Sequence, residues 1–195
     1  MKNTVKNIFC ALSLLVLAAC QDAPPSTDVP KLTLGSVREV GLDVARIEIV
    51  EKYASAMQDP NVEHLFEQPP VVVAKRMLNE KLRAQGSLHT LRVTIEDASV
   101  VRKSLPVKEG IGGLFYDEPS EAYRMNVSLR FELLEEGNPQ NVIGNALVVS
   151  GREKTLMESA SPADRDMAFF NMTENLVADL DAGFHGAVQR TFGWR

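Results

Sequence analysis

Apolar residues recur along this chain with two periods, and the period changes mark its elements. Ala45, Ile47 and Ile49 alternate with Arg46 and Glu48, which predicts a first strand near residues 43–50, after an extended approach through Leu32 and Leu34. Asp59-Pro60-Asn61 breaks the chain. Pro69 and Pro70 stand where first-turn prolines belong, ahead of a helix predicted to run to about Gln85. Val71, Ala74, Leu78 and Leu82 form its apolar stripe, Lys75, Arg76, Asn79 and Glu80 its wet side, and Gly86 its stop.

Period two returns with Leu91, Val93 and Ile95 set against Arg92, Thr94 and Glu96, a second strand that continues toward Val101. It is clearest from Tyr123 to Leu133, where Met125, Val127, Leu129 and Phe131 alternate with polar residues, the pattern of an antiparallel strand with one wet face. Glu136-Gly137-Asn138-Pro139 predicts a turn, and residues 142–156 a fourth strand in which Gly144 and Gly151 mark candidate bulges. Ser161, with Pro162 after it and Asp164 three places on, opens a helix of about 29 residues ending near Arg190. Its stripe is Met172, Leu176, Leu180, Phe184 and Val188, widened by Phe169 and Val177, while Gly183 and Gly186 weaken its last third. The order strand, helix, three strands, long helix predicts an α+β fold of two layers. An antiparallel-rich sheet of about four strands would carry two helices, one long and C-terminal, packed on one face.

The segment before this body has another character. Lys2 and Lys6 precede the apolar run Ile8–Leu17, the charged and hydrophobic regions of an export signal. The run is too short for a transmembrane helix, which needs about 20 apolar residues. Leu17-Ala18-Ala19-Cys20 then resembles the lipobox of bacterial lipoproteins. That resemblance implies removal of residues 1–19 and lipidation of Cys20 with diacylglycerol, usually followed by acylation of the new amine with a chain such as palmitate. Gln21 stands where the family's inner-membrane retention signal places Asp, so the resemblance implies an outer-membrane anchor facing the periplasm. Residues 20–30 are then a lipidated N-terminus and a tether of Pro, Ser and Asp character, and residues 31–195 a single periplasmic domain.

Composition narrows what that domain does. Without Lys2 and Lys6, the 21 basic side chains fall to 19 against 26 acidic ones, a net charge of −7 that disfavours nucleic acid and charge-driven headgroup binding. The only cysteines are Cys10, inside the leader, and Cys20, so once Cys20 is alkylated no thiol remains for a disulfide, a thiolate nucleophile or a Cys-based zinc site. His64, His89 and His185 are scattered, with no H-E-x-x-H pair, and no serine lies in G-x-S-x-G or S-x-x-K. Glu153, Glu158, Asp164 and Asp166 can supply a carboxylate pair, or serve as caps and dipole partners around a helix N-terminus. No metal, cofactor or catalytic group is expected.

Residues 102–120 form the longest predicted loop, with Gly110, Gly112 and Gly113 beside Ile111, Leu114, Phe115 and Tyr116. The four apolar side chains read as a partner-contact tip, against the alternative of a loop folded back over the sheet edge. Phe192-Gly193-Trp194 beyond the long helix reads as a tail packed on the body or as an exposed end.

With leader, lipobox, tether and element order together, the chain resembles in architecture the small envelope lipoproteins that serve transport and assembly machines. These include auxiliary lipoproteins of envelope ABC transport systems and the lipoprotein that plugs the lipopolysaccharide translocon. Phe66-Glu67-Gln68-Pro69-Pro70 stands where the auxiliary group carries a tryptophan and proline before its first helix. The resemblance implies a non-enzymatic accessory component, held to the membrane by its lipid anchor and bound to an envelope protein or lipid. A structural envelope lipoprotein without a ligand is the first alternative, and a carboxylate-based hydrolase the second.

Overall fold

A computed structural model describes residues 29–106 and 117–192. Six strands and two α-helices are formed by these residues, in the order β1 (Val40–Leu42), β2 (Arg46–Glu51), α1 (Pro70–Lys81), β3 (Leu82–Ala84), β4 (Thr90–Ser104), β5 (Pro119–Glu135), β6 (Asn138–Met157) and α2 (Pro162–Phe192). The main sheet has the order β2-β4-β5-β6. Inward residues of its strands form one core with α1 and α2, so both helices cover the same face and the α+β, two-layer expectation holds. Among the described residues no helix is long and apolar enough to cross a membrane.

The sheet is mixed rather than antiparallel throughout. β4 to β6 pair antiparallel, but β2 runs parallel to β4, Ile47 opposite Leu91 and Ile49 opposite Val93. Parallel neighbours need a crossover connection, and the segment carrying α1 supplies it. The first predicted strand begins at Arg46 rather than near residue 43; Val44, fully buried, lies in the bend between β1 and β2.

The first helix ends at Lys81, four residues short of its predicted end. Leu82 is already extended, and 82–84 pair parallel with 40–42 as a separate two-stranded sheet. Its buried face is Val73, Ala74, Met77 and Leu78, rotated from the predicted stripe, so Val71 sits at its margin. Gly86 is not the helix stop; it lies where a Cβ would stand 2.6 Å from the backbone of Asp43 and Val44, so the loop after β3 closes onto the bend before β2.

A bulge at Glu96 explains why the strand pattern of residues 90–104 changes phase. Ile95 pairs with Leu129 and Asp97 with Ser128, leaving Glu96 unopposed. Leu91, Val93 and Ile95 therefore face the core before it, and Ala98 and Val100 after it. A second irregularity sits at Ile143, beside Gly144, whereas Gly151 pairs regularly with Asn126.

Glu96 accepts two hydrogen bonds from Arg130, at 2.6 and 3.1 Å, and these hold its carboxyl below the usual value. A lowered folded-state pKa adds stability above the unfolded value and loses it as pH falls through the folded one. Glu96→Gln is therefore expected to cost about 0.5–1 kcal/mol at pH 7, limited by the water and salt that reach the pair. The deficit should shrink below the ordinary carboxylate range, and urea unfolding between pH 7 and pH 3 checks this; a deficit constant with pH would refute it.

The long helix α2 has the predicted start. Ser161 N–H donates to Asp164 Oδ2 at 2.9 Å and Asp164 N–H to Ser161 Oγ at 3.2 Å, a reciprocal cap. The Ser161 hydroxyl, which donates to the same Oδ2 at 2.6 Å, and then the Ser161 N–H lower the Asp164 pKa. The helix runs 31 residues through Gly183 and Gly186 without a break. At Gly183 it comes close to β6, since a Cβ there would stand 2.7 Å from Val148 Cγ1.

Candidate functional site

Beside the start of the described chain lies a groove of about 450 Å³, between the segment after Val29, residues 65–68 and the first turns of α2. That size suits a small ligand or one apolar chain. The nearly parallel rings of Phe66 and Phe169 belong to its lining, with centroids 4.1 Å apart. Leu32, Leu65 and Phe170 add apolar surface, and Lys31, Glu67 and Asp166 add charge; of the apolar side chains, Leu65 is the most open, at 45 %.

Local structure accounts for each wall. A 3₁₀ turn at Glu63–Leu65 is closed by Leu65 N–H donating to the Val62 carbonyl and Phe66 N–H to that of Glu63, which turns the Phe66 ring inward while Leu65 points out. That turn is held on β4, where Val62 N–H donates to Val100 O and Arg102 N–H to Pro60 O, each at 2.8 Å. On the other side, Arg76 of α1 donates to Gln68 Oε1 at 2.9 Å and to the Leu32 carbonyl at 3.2 Å. One guanidinium thus ties two sides of the groove together.

A polar network backs the groove. Arg102 grips both carboxylate oxygens of Asp59, at 2.7 and 2.6 Å, and approaches Glu121 at 3.7 Å. Glu121 also accepts from Tyr123 at 2.7 Å and from Arg165 at 3.2 Å, so the loop before the 3₁₀ turn, β4, β5 and α2 are joined. Burial first, then the bond to Glu121, raises the Tyr123 pKa. Deeper still, Glu63 is 1 % exposed, accepts a hydrogen bond from Tyr53, and leaves Oε2 without a partner. Burial and that carboxylate push the Tyr53 phenol well above its usual value. These contacts join and position the elements around the groove.

The remaining candidates do not converge. His64 lies in the 3₁₀ turn, His89 at a positive-φ position before β4, and His185 on α2 beside Asp181. Among the described residues no three His, Cys, Asp or Glu side chains are grouped to hold a metal ion. Of the acids near the long helix, Glu153 pairs with Arg124, Asp164 caps, and Asp166 lines the groove. Cys20 and the proposed contact residues Ile111, Leu114, Phe115 and Tyr116 lie outside the described residues, as does Trp194. Phe192 is described and lies against Gly144. The groove itself went unpredicted, because it joins residues near 31, 67 and 169 that no short sequence pattern relates.

No protein-family model matches the sequence, and no curated protein matches it. Solved structures with a similar course of chain include rare lipoprotein B from Shewanella oneidensis, at 12 % identity and a TM-score of 0.35, over 72 % of this chain and 94 % of that one. A minor lipoprotein from Acinetobacter baumannii shares 9 % identity at a TM-score of 0.39, over 77 % and 96 % of the two chains. Lipoprotein B from Nitrosomonas europaea shares 13 % at a TM-score of 0.38, over 83 % and 95 %.

Proposed function

We propose that this chain is a bacterial envelope lipoprotein, anchored through Cys20, probed by its partners at the groove beside the anchor, and without catalytic activity of its own. The observation that carries the reading is the position of that groove. Val29, one of its lining residues, follows Cys20 by nine residues, and nine residues reach no farther than about 30 Å. A lipid anchor at Cys20 therefore keeps the groove close to a membrane surface. Its stacked aromatic pair and exposed Leu65 suit the apolar part of an envelope component, an acyl chain or an apolar protein segment, and the charged rim suits a polar end. An accessory role in envelope transport or assembly follows from such a site, and an outer-membrane location from Gln21.

Two measurements test the two halves separately. Mass spectrometry of the mature N-terminus is expected to find Cys20 carrying diacylglycerol, and Cys20→Ser should release the protein from membranes; an unmodified, uncleaved leader refutes the anchor. A photoreactive side chain at Leu65 is expected to trap lipid or one envelope protein in cells at least tenfold above the same group at exposed Val72 on α1. Leu65 adducts no more abundant than those at Val72 would sink the groove.

A further inference from the structure

Each of the three walls of the groove supplies one charged side chain. Lys31 comes from the segment after Val29, Glu67 from the residues that follow the 3₁₀ turn, and Asp166 from the first turns of α2. All three are exposed, whereas Leu32, Phe66 and Phe169 of the same lining are buried. An occupant therefore meets rings in depth and both signs of charge at the surface. Polar groups of the wall are engaged within the protein: the Thr173 hydroxyl donates to the Phe169 carbonyl at 2.9 Å, and Gln68 Oε1 accepts from Arg76 at 2.9 Å. A peptide laid in the groove would bury N–H and C=O groups that those side chains do not meet, while a methylene chain asks for no such partner. A volume of about 450 Å³ lies toward the small end for ligand sites and suits a single acyl chain.

We infer that the groove takes one acyl chain of a membrane phospholipid whose head carries both a phosphate and a primary ammonium, the phosphatidylethanolamine type. The inference rests on the reading of this groove as a ligand site held near a membrane, and it names the ligand. The ammonium meets the carboxylates of Glu67 and Asp166, and the phosphate meets Lys31, so one zwitterion answers both signs of the rim. Being neutral overall, it is not repelled by a chain with 26 acidic and 21 basic side chains. An anionic head such as phosphatidylglycerol sets its phosphate against two carboxylates with a single lysine to offset them, and it brings no ammonium for either acid. The second acyl chain needs no place on the protein, because the short span from Cys20 to Val29 keeps the groove beside the bilayer that holds it. The chains on Cys20 itself offer the rim neither a phosphate nor an ammonium.

The test uses the mature lipoprotein in vesicles of equal parts phosphatidylethanolamine and phosphatidylglycerol, with a trace of one lipid or the other carrying a photoreactive acyl chain. Irradiation is expected to label the segments 65–68 and 166–173 about fivefold more with the ethanolamine probe than with the glycerol probe, the scale of two exposed charge contacts. Glu67→Gln/Asp166→Asn, altered only at exposed side chains, should abolish that preference with an unchanged circular dichroism spectrum. Lys31→Gln removes the partner of a phosphate that both lipids carry, so it should lower labelling by both probes. Equal labelling of the wild type by the two probes, or a preference that survives in the double variant, would overturn the inference and leave the groove standing as a ligand site. No labelling of either segment would overturn it outright, and the Leu65 trap in cells then separates a groove that takes a protein from one that takes nothing.

Discussion

Replacing Phe169 by alanine is expected to cost about 3–5 kcal/mol, the upper range for removing a buried aromatic ring. The residue is 4 % exposed and sits where three parts of the fold meet. Its ring stacks on Phe66 from the 3₁₀ turn and meets Tyr123 of β5 edge-on, with centroids 5.0 Å apart and planes at 72°. Such pairs add about 0.5–1.5 kcal/mol to the area they bury. Urea unfolding should show a lower midpoint with an unchanged slope, and melting should fall by about 10 °C for a domain of this size. Phe66→Ala should lose less in the Phe169→Ala background than alone, because the stack is already gone. Met167→Ala, two residues away and 37 % exposed, should stay within about 0.5 kcal/mol. Equal losses at 167 and 169 would show that the stacked pair does not hold the helix to the turn.

That pair also marks the limit of what local pattern reveals. Strand alternation from Tyr123 to Phe131 and the four-residue recurrence from Met172 to Phe184 each report a buried face, and both elements stand where the pattern places them. The direction of β2 is a matter of connection, and it follows from the helix between β2 and β4. The early end of α1 is not local at all. Leu82, Arg83 and Ala84 have high helix propensity, yet the chain leaves the helix where Val40, Gly41 and Leu42 offer a parallel partner. The expected loop of residues 102–120 is likewise shortened at both ends, since β4 runs on to Ser104 and β5 starts at Pro119, with Lys103 opposite Ala122 and Ser104 opposite Glu121, without any apolar alternation to announce it. The groove needs three distant segments at once.

The buried carboxylate behind the groove gives the second large effect, and its sign is opposite for the two partners. Tyr53→Phe removes the hydrogen bond donated to Glu63 and leaves a carboxylate that is 1 % exposed without its one side-chain donor among the described residues. Hydrogen bonds to charged groups contribute about 1.5–3 kcal/mol, and orphaning a buried charge adds to that, so a loss of about 3 kcal/mol is expected. Glu63→Met removes the charge and keeps most of the volume. Tyr53 is only partly buried, so its hydroxyl can turn to water, and this variant should lie within about 1 kcal/mol of wild type or be more stable. The double variant should then match Glu63→Met, not the sum of the two. Chemical denaturation of the four proteins decides it. A harmless Tyr53→Phe together with a strongly destabilised Glu63→Met would show that Glu63 draws its support from its backbone turn and not from the phenol.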